Sequence, residues 1–189
     1  MVLLSLYRTE RRLREQITFD DGNASDLDIC APLLAQNGRT ATFFVLAGRL
    51  GQSGSLSAEG LRQLTAEGHS IGNHGFDHLD WRGLHPDASR RELVDARKVL
   101  EDAIGSEIRE AAIPFGSYDR GVLARLRAAC YDRVYTSDGG PADSNAWLCP
   151  RTSVRNDMSL DDVALLISGQ ERLSRRLRRR IAMAKKRLL

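Results

Sequence analysis

Strand-like and helix-like segments alternate along this chain, and the alternation restricts the fold more than any other feature. Short runs rich in β-branched and aromatic residues, such as 40–46, are typical of buried strands. A stretch whose apolar residues recur about every 3.6 positions, such as 86–104, predicts a helix, and Gly105 is placed to end it. Strands that alternate with helices imply right-handed β-α-β units around a parallel sheet or barrel. We therefore expect an α/β fold.

The remaining elements follow the same two patterns. The expected strands are 16–19, 40–46, 70–72, 110–113, 133–136 and a segment near 147–148. The expected helices are 26–36, 57–67, 86–104, 119–130 and 159–168, and the segment 74–85 has the composition of a loop.

The composition is that of one ordinary globular domain. The 189 residues are 42% hydrophobic and 28% charged, a balance typical of soluble proteins with a single core. The apolar run 1–7 is too short for the core of a signal peptide, and no stretch approaches the ~20 apolar residues of a membrane span. Because Cys30, Cys130 and Cys149 stand far apart, we expect free thiols in a reducing compartment. The sequence predicts a cytoplasmic location, with export only if translation starts further upstream.

Charge is distributed unevenly along the chain. Residues 171–189 contain nine basic side chains and one acidic, whereas residues 1–170 contain 19 basic and 24 acidic. One face of the tail carries Leu173, Leu177, Ile181, Ala184 and Leu188. We therefore expect a domain over 1–170 and a basic amphipathic helix over 171–189. Such a helix suits an anionic membrane surface. Alternatively it packs on the domain or binds another acidic partner. We expect no binding to a specific nucleic acid.

Two short motifs carry the chemistry. The run Thr18-Phe19-Asp20-Asp21-Gly22 ends an apolar strand, and His74-Gly75-Phe76-Asp77-His78 follows another strand about fifty residues later. In parallel β/α folds the loops after the carboxyl ends of strands build the active site, so we expect both motifs on the same rim. One aspartate and two histidines can bind a catalytic metal ion and leave a position open for water. The other aspartate is then free to act as a base.

With these motifs the chain resembles the polysaccharide deacetylase family, also called carbohydrate esterase family 4 or the NodB homology domain. The resemblance covers about residues 15–155 and rests on residues 18–22, 41–45 and 68–78. It implies an irregular (β/α) barrel with fewer strands than a TIM barrel. By position it also implies that Asp21, His74 and His78 bind a divalent metal, with Zn²⁺ favoured over Co²⁺ or another ion. The same correspondence makes Asp20 the general base.

The third motif, residues 112–119, departs from the pattern that is usual in the family. Ala112 stands where many members have an arginine that orients the base, although the core Pro114-Phe115-Gly116 remains. A late histidine that serves the family as general acid is also missing, because none of the four histidines lies beyond His85. Three candidates for the proton donor stay open, namely Asp20 itself, a metal-bound water and Asp138.

Three further residues are candidate contacts for the oxyanion or the substrate. The resemblance implies that a backbone N–H near Phe115 binds the tetrahedral oxyanion. Arg151 lies roughly where the late motif should fall, so it could steady the oxyanion, orient Asp20, or be an ordinary structural arginine. Trp81 could stack on a sugar ring or simply pack the rim.

These observations predict a metal-dependent hydrolase of an amide bond that removes the acetyl group from an N-acetylated sugar in a polysaccharide or glycoconjugate. In the chemistry that the resemblance implies, Asp20 takes a proton from a metal-bound water as that water attacks the acetamide. Two alternatives stay open. The missing histidine and arginine are compatible with a catalytically impaired protein that binds glycan, and the same metal chemistry would serve a non-sugar amide or an ester.

Overall fold

A computed structural model describes residues 2–8, 13–168 and 173–188. Residues 171, 172 and 189 of the predicted basic tail therefore lie outside the described residues. Among the helices that are described, none has both the length and the apolar character needed to cross a membrane.

Eight strands form one sheet that closes on itself. They are β1 (Val2–Arg8), β2 (Leu13–Asp21), β3 (Ala41–Val45), β4 (Ser70–Asn73), β5 (Glu110–Ala112), β6 (Arg133–Thr136), β7 (Pro141–Asp143) and β8 (Leu148–Ser153). The order is β2-β3-β4-β5-β6-β8-β1, and β1 also pairs with β2. Within the described residues seven strands thus close a barrel, and β7 is added beside β1. The predicted irregular (β/α) barrel is confirmed.

Strand direction places the candidate site at one end of this barrel. In this barrel β1 runs antiparallel to both of its neighbours, β2 and β8. All other neighbouring strands are parallel, namely β2–β3, β3–β4, β4–β5, β5–β6 and β6–β8. The carboxyl ends of six strands therefore meet at a single rim, where β/α barrels build their active sites.

Helices form at the predicted positions between and after the strands. They are α1 (Ala31–Gln36), α2 (Ala58–Ala66), α3 (Pro86–Arg90), α4 (Ala96–Ile104), α5 (Arg120–Ala128), α6 (Leu160–Ile167) and α7 (Leu173–Leu188). A π-helical turn at Asp26–Cys30 leads into α1, and another at Arg91–Asp95 joins α3 to α4. The side chains of Ser57 and Asp119 accept hydrogen bonds from backbone N–H groups in the first turns of α2 and α5 and so cap them.

The core lies on both sides of the barrel wall. All five residues of β3 are buried, which is the pattern of a parallel strand with both faces covered. Phe43 points outward into a cluster with Leu61, Leu64 and Leu100. Its neighbour Phe44 points into the barrel and packs beside Tyr7 and Tyr135, as expected because successive side chains of a strand point to opposite faces.

Two strands were not predicted, and two others, β2 and β8, are longer than predicted. The apolar run at the N-terminus forms β1, which pairs with three other strands. The three-residue β7 also escaped prediction. The segment near 147–148 continues to Ser153 as β8, which brings Arg151 into the barrel wall.

Candidate metal centre and active site

The two motifs meet at the rim because they lie at the carboxyl ends of β2 and β4, which are parallel strands separated only by β3. Asp21 is the last residue of β2, and His74 directly follows β4. The intervening strand β3 pairs its Val45 with both Asp21 and Asn73, so the two strands end at the same level. The structure therefore brings together the residues that were predicted to share a site.

Asp21, His74 and His78 form a compact set of metal-binding side chains. The Oδ1 atom of Asp21 lies 3.6 Å from Nε2 of His74 and 3.6 Å from Nε2 of His78. One ligand atom from each residue lies within 4.8 Å of the other two. Ligands bound about 2.1 Å from a tetrahedral zinc ion stand roughly 3.4 Å apart. One carboxylate and two imidazoles at these separations fit a divalent ion with one position left for water or substrate.

The environment of His74 prepares it to bind a metal. Its Nδ1 lies 2.8 Å from the carbonyl oxygen of Ala112, so Nδ1 carries the proton and donates a hydrogen bond to that carbonyl, and Nε2 keeps a free electron pair. Burial lowers the pKa of His74, because burial disfavours the charged imidazolium. A neutral imidazole whose other nitrogen is fixed by a backbone carbonyl is the usual form of a histidine ligand.

Backbone strain is concentrated at this rim. Four described residues other than glycine have positive φ, and three of them lie at the site: Asp21 (85°), His78 (58°) and Phe115 (58°). Such conformations cost on the order of 1–3 kcal/mol each and persist only where the surroundings enforce them. The strain is therefore consistent with a site that holds these side chains in fixed directions.

A buried carboxylate organises the loop between the two histidines. Glu92 is fully buried and accepts hydrogen bonds from the backbone N–H groups of Phe76 and Asp77 and from the indole N–H of Trp81. Gly75 has a φ of 97°, and a Cβ atom there would collide with the Glu92 carboxylate. Sequence reasoning missed Glu92. A glutamate at a position of α3–α4 that faces the core was the available signal, because buried carboxylates need partners.

Asp20 is held by Arg151 rather than by the metal-binding side chains. The guanidinium of Arg151 donates to both carboxylate oxygens, at 2.6 Å and 2.8 Å, and also to the hydroxyl of Thr18 at 3.0 Å. Arg151 is 0% exposed and Asp20 is 2% exposed. Burial alone would raise the pKa of Asp20, but the charge and hydrogen bonds of Arg151 outweigh it and the pKa lies below its usual value. Asp20 is therefore ionised at neutral pH.

Arg151 thus occupies a different place from the one that the family pattern suggested for an orienting arginine. Ala112 lies in β5 and has no guanidinium to offer the base, and the guanidinium comes instead from β8, which β6 separates from β5. Arg151 contacts Asp20, and this contact fits both an arginine that orients the base and an ordinary structural arginine. Both terminal nitrogens are used by Asp20 and Thr18.

Phe115 and Trp81 have different surroundings. Phe115 is 66% exposed, and its ring centroid lies 4.5 Å from that of His78, so it forms part of the open rim. Trp81 is 1% exposed and packs with Leu93 and Tyr118. The expectation that Trp81 stacks on a sugar ring is therefore not met, because both faces of the indole are covered by protein.

Asp138, one of the candidate proton donors, lies near the rim but is already engaged. Its carboxylate accepts hydrogen bonds from the hydroxyls of Tyr118 and Thr136, each at 2.8 Å, and pairs with Lys186.

His69 lies directly before β4, where its Nδ1 accepts a hydrogen bond from the backbone N–H of Ala41. It has a structural contact at the opposite end of the strand from the site.

Comparison with known families gives a match over most of the barrel. A family model described as polysaccharide deacetylase matches residues 12–134. The chain is 28% identical over 145 residues to a putative polysaccharide deacetylase, YxkH, of Bacillus subtilis, covering 76% of this chain and 52% of that protein. It is 30% identical over 117 residues to a chitooligosaccharide deacetylase of Azorhizobium caulinodans, covering 61% and 54%. The chain thus spans about half the length of these relatives.

Solved structures show the same architecture. The Streptococcus pyogenes deacetylase PplD, in complex with acetate, matches with a TM-score of 0.74 and 23% sequence identity, covering 79% of this chain and 68% of that one. This likeness concerns the fold, and it agrees with the barrel described above.

Proposed function

This chain belongs to the polysaccharide deacetylase family, and from that membership we propose that it hydrolyses the acetamide of an N-acetylated sugar, releasing acetate and a free amine. The observation that carries the proposal is the convergence of Asp20 and Asp21 with His74 and His78 at the barrel rim. We propose Asp21, His74 and His78 as ligands of a divalent ion, with zinc favoured because its usual ligands are these side-chain types. When bound, such an ion lowers the pKa of a coordinated water and polarises the substrate carbonyl.

Asp20 is placed to act as the base. Its Oδ2 atom lies 3.8 Å from Nε2 of His74, so the carboxylate borders the space that the ligand atoms enclose. Each carboxylate oxygen can accept more than one hydrogen bond, and the bonds from Arg151 leave capacity for a water molecule. In the proposed reaction Asp20 accepts a proton from the attacking water. Arg151 keeps the carboxylate ionised and fixes its orientation.

The leaving amine needs a proton when the carbon–nitrogen bond breaks. Asp138 is a poor donor because its carboxylate already accepts two hydroxyl hydrogen bonds and pairs with Lys186. Asp20 holds the proton that it took from water and lies beside the reacting atoms. We therefore favour return of this proton from Asp20 to the nitrogen, so that a single carboxylate serves first as base and then as acid.

Phe115 contributes to the substrate side of the site in this proposal. Its exposed ring beside His78 offers an apolar surface for the acetyl methyl group or for a sugar face. A backbone N–H of the strained turn around Phe115 would bind the oxyanion, and a bound ion would supply positive charge beside it.

Release of acetate from N-acetylglucosamine oligomers tests the proposed function. We expect release by protein loaded with zinc or cobalt, and loss of that release after removal of the metal with a chelator. Oligomer binding without release of acetate, on this and on other amide substrates, would favour a binding protein instead. Cleavage of simple amides or esters but not of oligomers would favour a hydrolase of non-sugar substrates.

We also propose that α7 contacts an anionic membrane surface. Leu177 and Ile181 are each 61% exposed and Leu188 is 81% exposed, so an apolar stripe of α7 faces away from the barrel. Exposed basic residues flank the stripe on both sides: Arg178, Arg180, Lys185 and Arg187. The segment 173–188 contains no acidic residue. An apolar stripe bordered by cations is the pattern of helices that lie in the headgroup region of anionic bilayers.

A further inference from the structure

The face of α7 that is turned toward the barrel reaches the active-site rim. The ammonium group of Lys186 lies 2.7 Å from Oδ1 of Asp138 and 2.9 Å from the carbonyl oxygen of Gly116. It also lies 4.9 Å from the centroid of the Tyr118 ring, over its face. Lys186 thus contacts both the turn Pro114–Gly116 of the third motif and, through Asp138, the loop that follows β6.

Asp138 connects Lys186 to the same turn by a second route. Its side chain is only 5% exposed, and it accepts hydrogen bonds from Tyr118 at the end of the turn and from Thr136 at the end of β6. A carboxylate this deeply buried needs a counter-charge. Lys186 supplies that charge, and the cluster ties three separate segments together.

The turn that these contacts hold is strained and lies next to the metal centre. Phe115 and Gly116 are consecutive residues with φ values of 58° and 60°. A Cβ atom on Gly116 would lie 2.9 Å from the backbone nitrogen of Ser137, so the turn fits closely against the loop after β6. The ring of Phe115 contacts His78, a proposed metal ligand. A displacement of this turn would therefore move the Phe115 ring that contacts His78.

Lys186 is one of several points at which α7 meets the body, since a Cβ atom on Gly140 would also collide with the guanidinium of Arg179. A cavity of about 600 Å³ lies between the helix and the segment 141–150, lined by Ala142, Leu148, Met183 and Ala184 among others. Lys186, with its two hydrogen bonds and its aromatic contact, therefore gives α7 a defined attachment to the rim.

We propose that Lys186 is a positioning residue of the active site, which holds the Phe115–Gly116 turn and Asp138 in the arrangement that catalysis requires. The inference rests on the proposed deacetylase function. In this proposal α7 supports the active site, in addition to its proposed contact with a membrane surface. Lys186 acts through the turn, because its contacts are with Gly116, Tyr118 and Asp138 and not with the metal-binding side chains.

The test replaces the charge of Lys186 while retaining most of its length. We expect Lys186→Met in the full chain to lower kcat for acetate release by about 10- to 100-fold with little change in KM, the scale of loss that follows small misplacements in an active site. Hydrogen exchange of the backbone amides of Gly116 and Ser117, which donate within the turn, should become faster. Lys186→Arg should restore much of the activity. Lys98→Met, which removes the charge of an exposed lysine on α4, is the matched control.

The outcomes separate this inference from the function on which it rests. If Lys186→Met behaves like Lys98→Met in both kcat and hydrogen exchange, Lys186 has no positioning role and the inference is wrong, while the deacetylase function stands. Loss of activity that Lys186→Arg does not recover, with unchanged exchange in the turn, also overturns it. If the unmodified protein releases no acetate, the proposed function fails, and faster exchange in Lys186→Met alone would still show that Lys186 holds the turn.

Discussion

Asp20 and Arg151 form an ion pair that lies almost entirely away from water. The Asp20 carboxylate and the guanidinium meet through two hydrogen bonds, and the arginine also lies 5.1 Å from the centroid of the Phe44 ring. The planar fork of arginine matches a carboxylate in a way that the single ammonium group of lysine does not. Removing one partner of such a pair leaves the other charge buried without compensation.

We therefore predict that Arg151→Met lowers the free energy of unfolding by about 3–5 kcal/mol, the scale found when a buried ion pair loses one partner. Denaturant unfolding measures this directly. Arg155→Met is the matched control, because Arg155 pairs with Asp157 on the surface, where both side chains are more than half exposed, and exposed pairs contribute about 0–1 kcal/mol. Equal destabilisation by the two substitutions would contradict the assigned contact.

Single residues also show where the sequence was informative. The aspartate pair and the two histidines could be recognised as one cluster because each motif directly follows an apolar strand, and parallel strands end at a common rim. The contact of Arg151 with Asp20 was one of several options from the sequence, since it depends on which face of β8 the arginine occupies. Whether Trp81 packs against protein or stacks on a ligand stayed open from the sequence, because its burial is set by Glu92 and by packing between distant segments.

At the scale of elements, the strands and helices that follow the β/α alternation were predicted to within a few residues. The strand β6 matches its prediction, Arg133–Thr136. The strands that escaped prediction are those that interrupt the alternation. β1 is antiparallel and joins β2 without a helix, and β7 has only three residues. β7 pairs with β1, and β1 pairs with β7 and β8 in addition to β2. Pairings between segments so distant in sequence are not visible in local patterns.

The helix α7 presents opposite faces to the barrel and to its surroundings, and this leads to a prediction about membranes. We expect the protein to bind vesicles that contain anionic lipid and not neutral vesicles, and Leu177→Ser/Ile181→Ser to weaken that binding about tenfold or more, because less apolar surface can enter the headgroup region. Vesicle co-sedimentation measures the effect.

A matched control is available elsewhere in the chain. Ile29 and Leu33 are also four residues apart on the helical segment that leads into α1, and they are 57% and 54% exposed. Ile29→Ser/Leu33→Ser should leave vesicle binding unchanged. Equal loss in both double variants, or none in either, would exclude a specific role of α7.

At the scale of the whole molecule, closure of the barrel creates the site. Asp20 and Arg151 are 131 positions apart in the sequence and meet only because β8 and β2 both pair with β1. The strand β1 therefore closes the barrel and gives the base its partner. The division at residue 170 and the cytoplasmic location stay predictions, although the contacts of Lys186 show that α7 lies against the domain.

The most direct test of the catalytic assignment measures metal binding and acetate release side by side in the Asp20→Asn variant. Asp20 is assigned as the base and not as a ligand, so we predict that this variant still binds one divalent ion per chain, while acetate release falls about 10²- to 10⁴-fold, the contribution typical of a general base. Asp21→Asn should instead weaken metal binding. Acetate release that is unchanged in folded Asp20→Asn protein, or a loss of metal as severe as that in Asp21→Asn, would contradict the assignment.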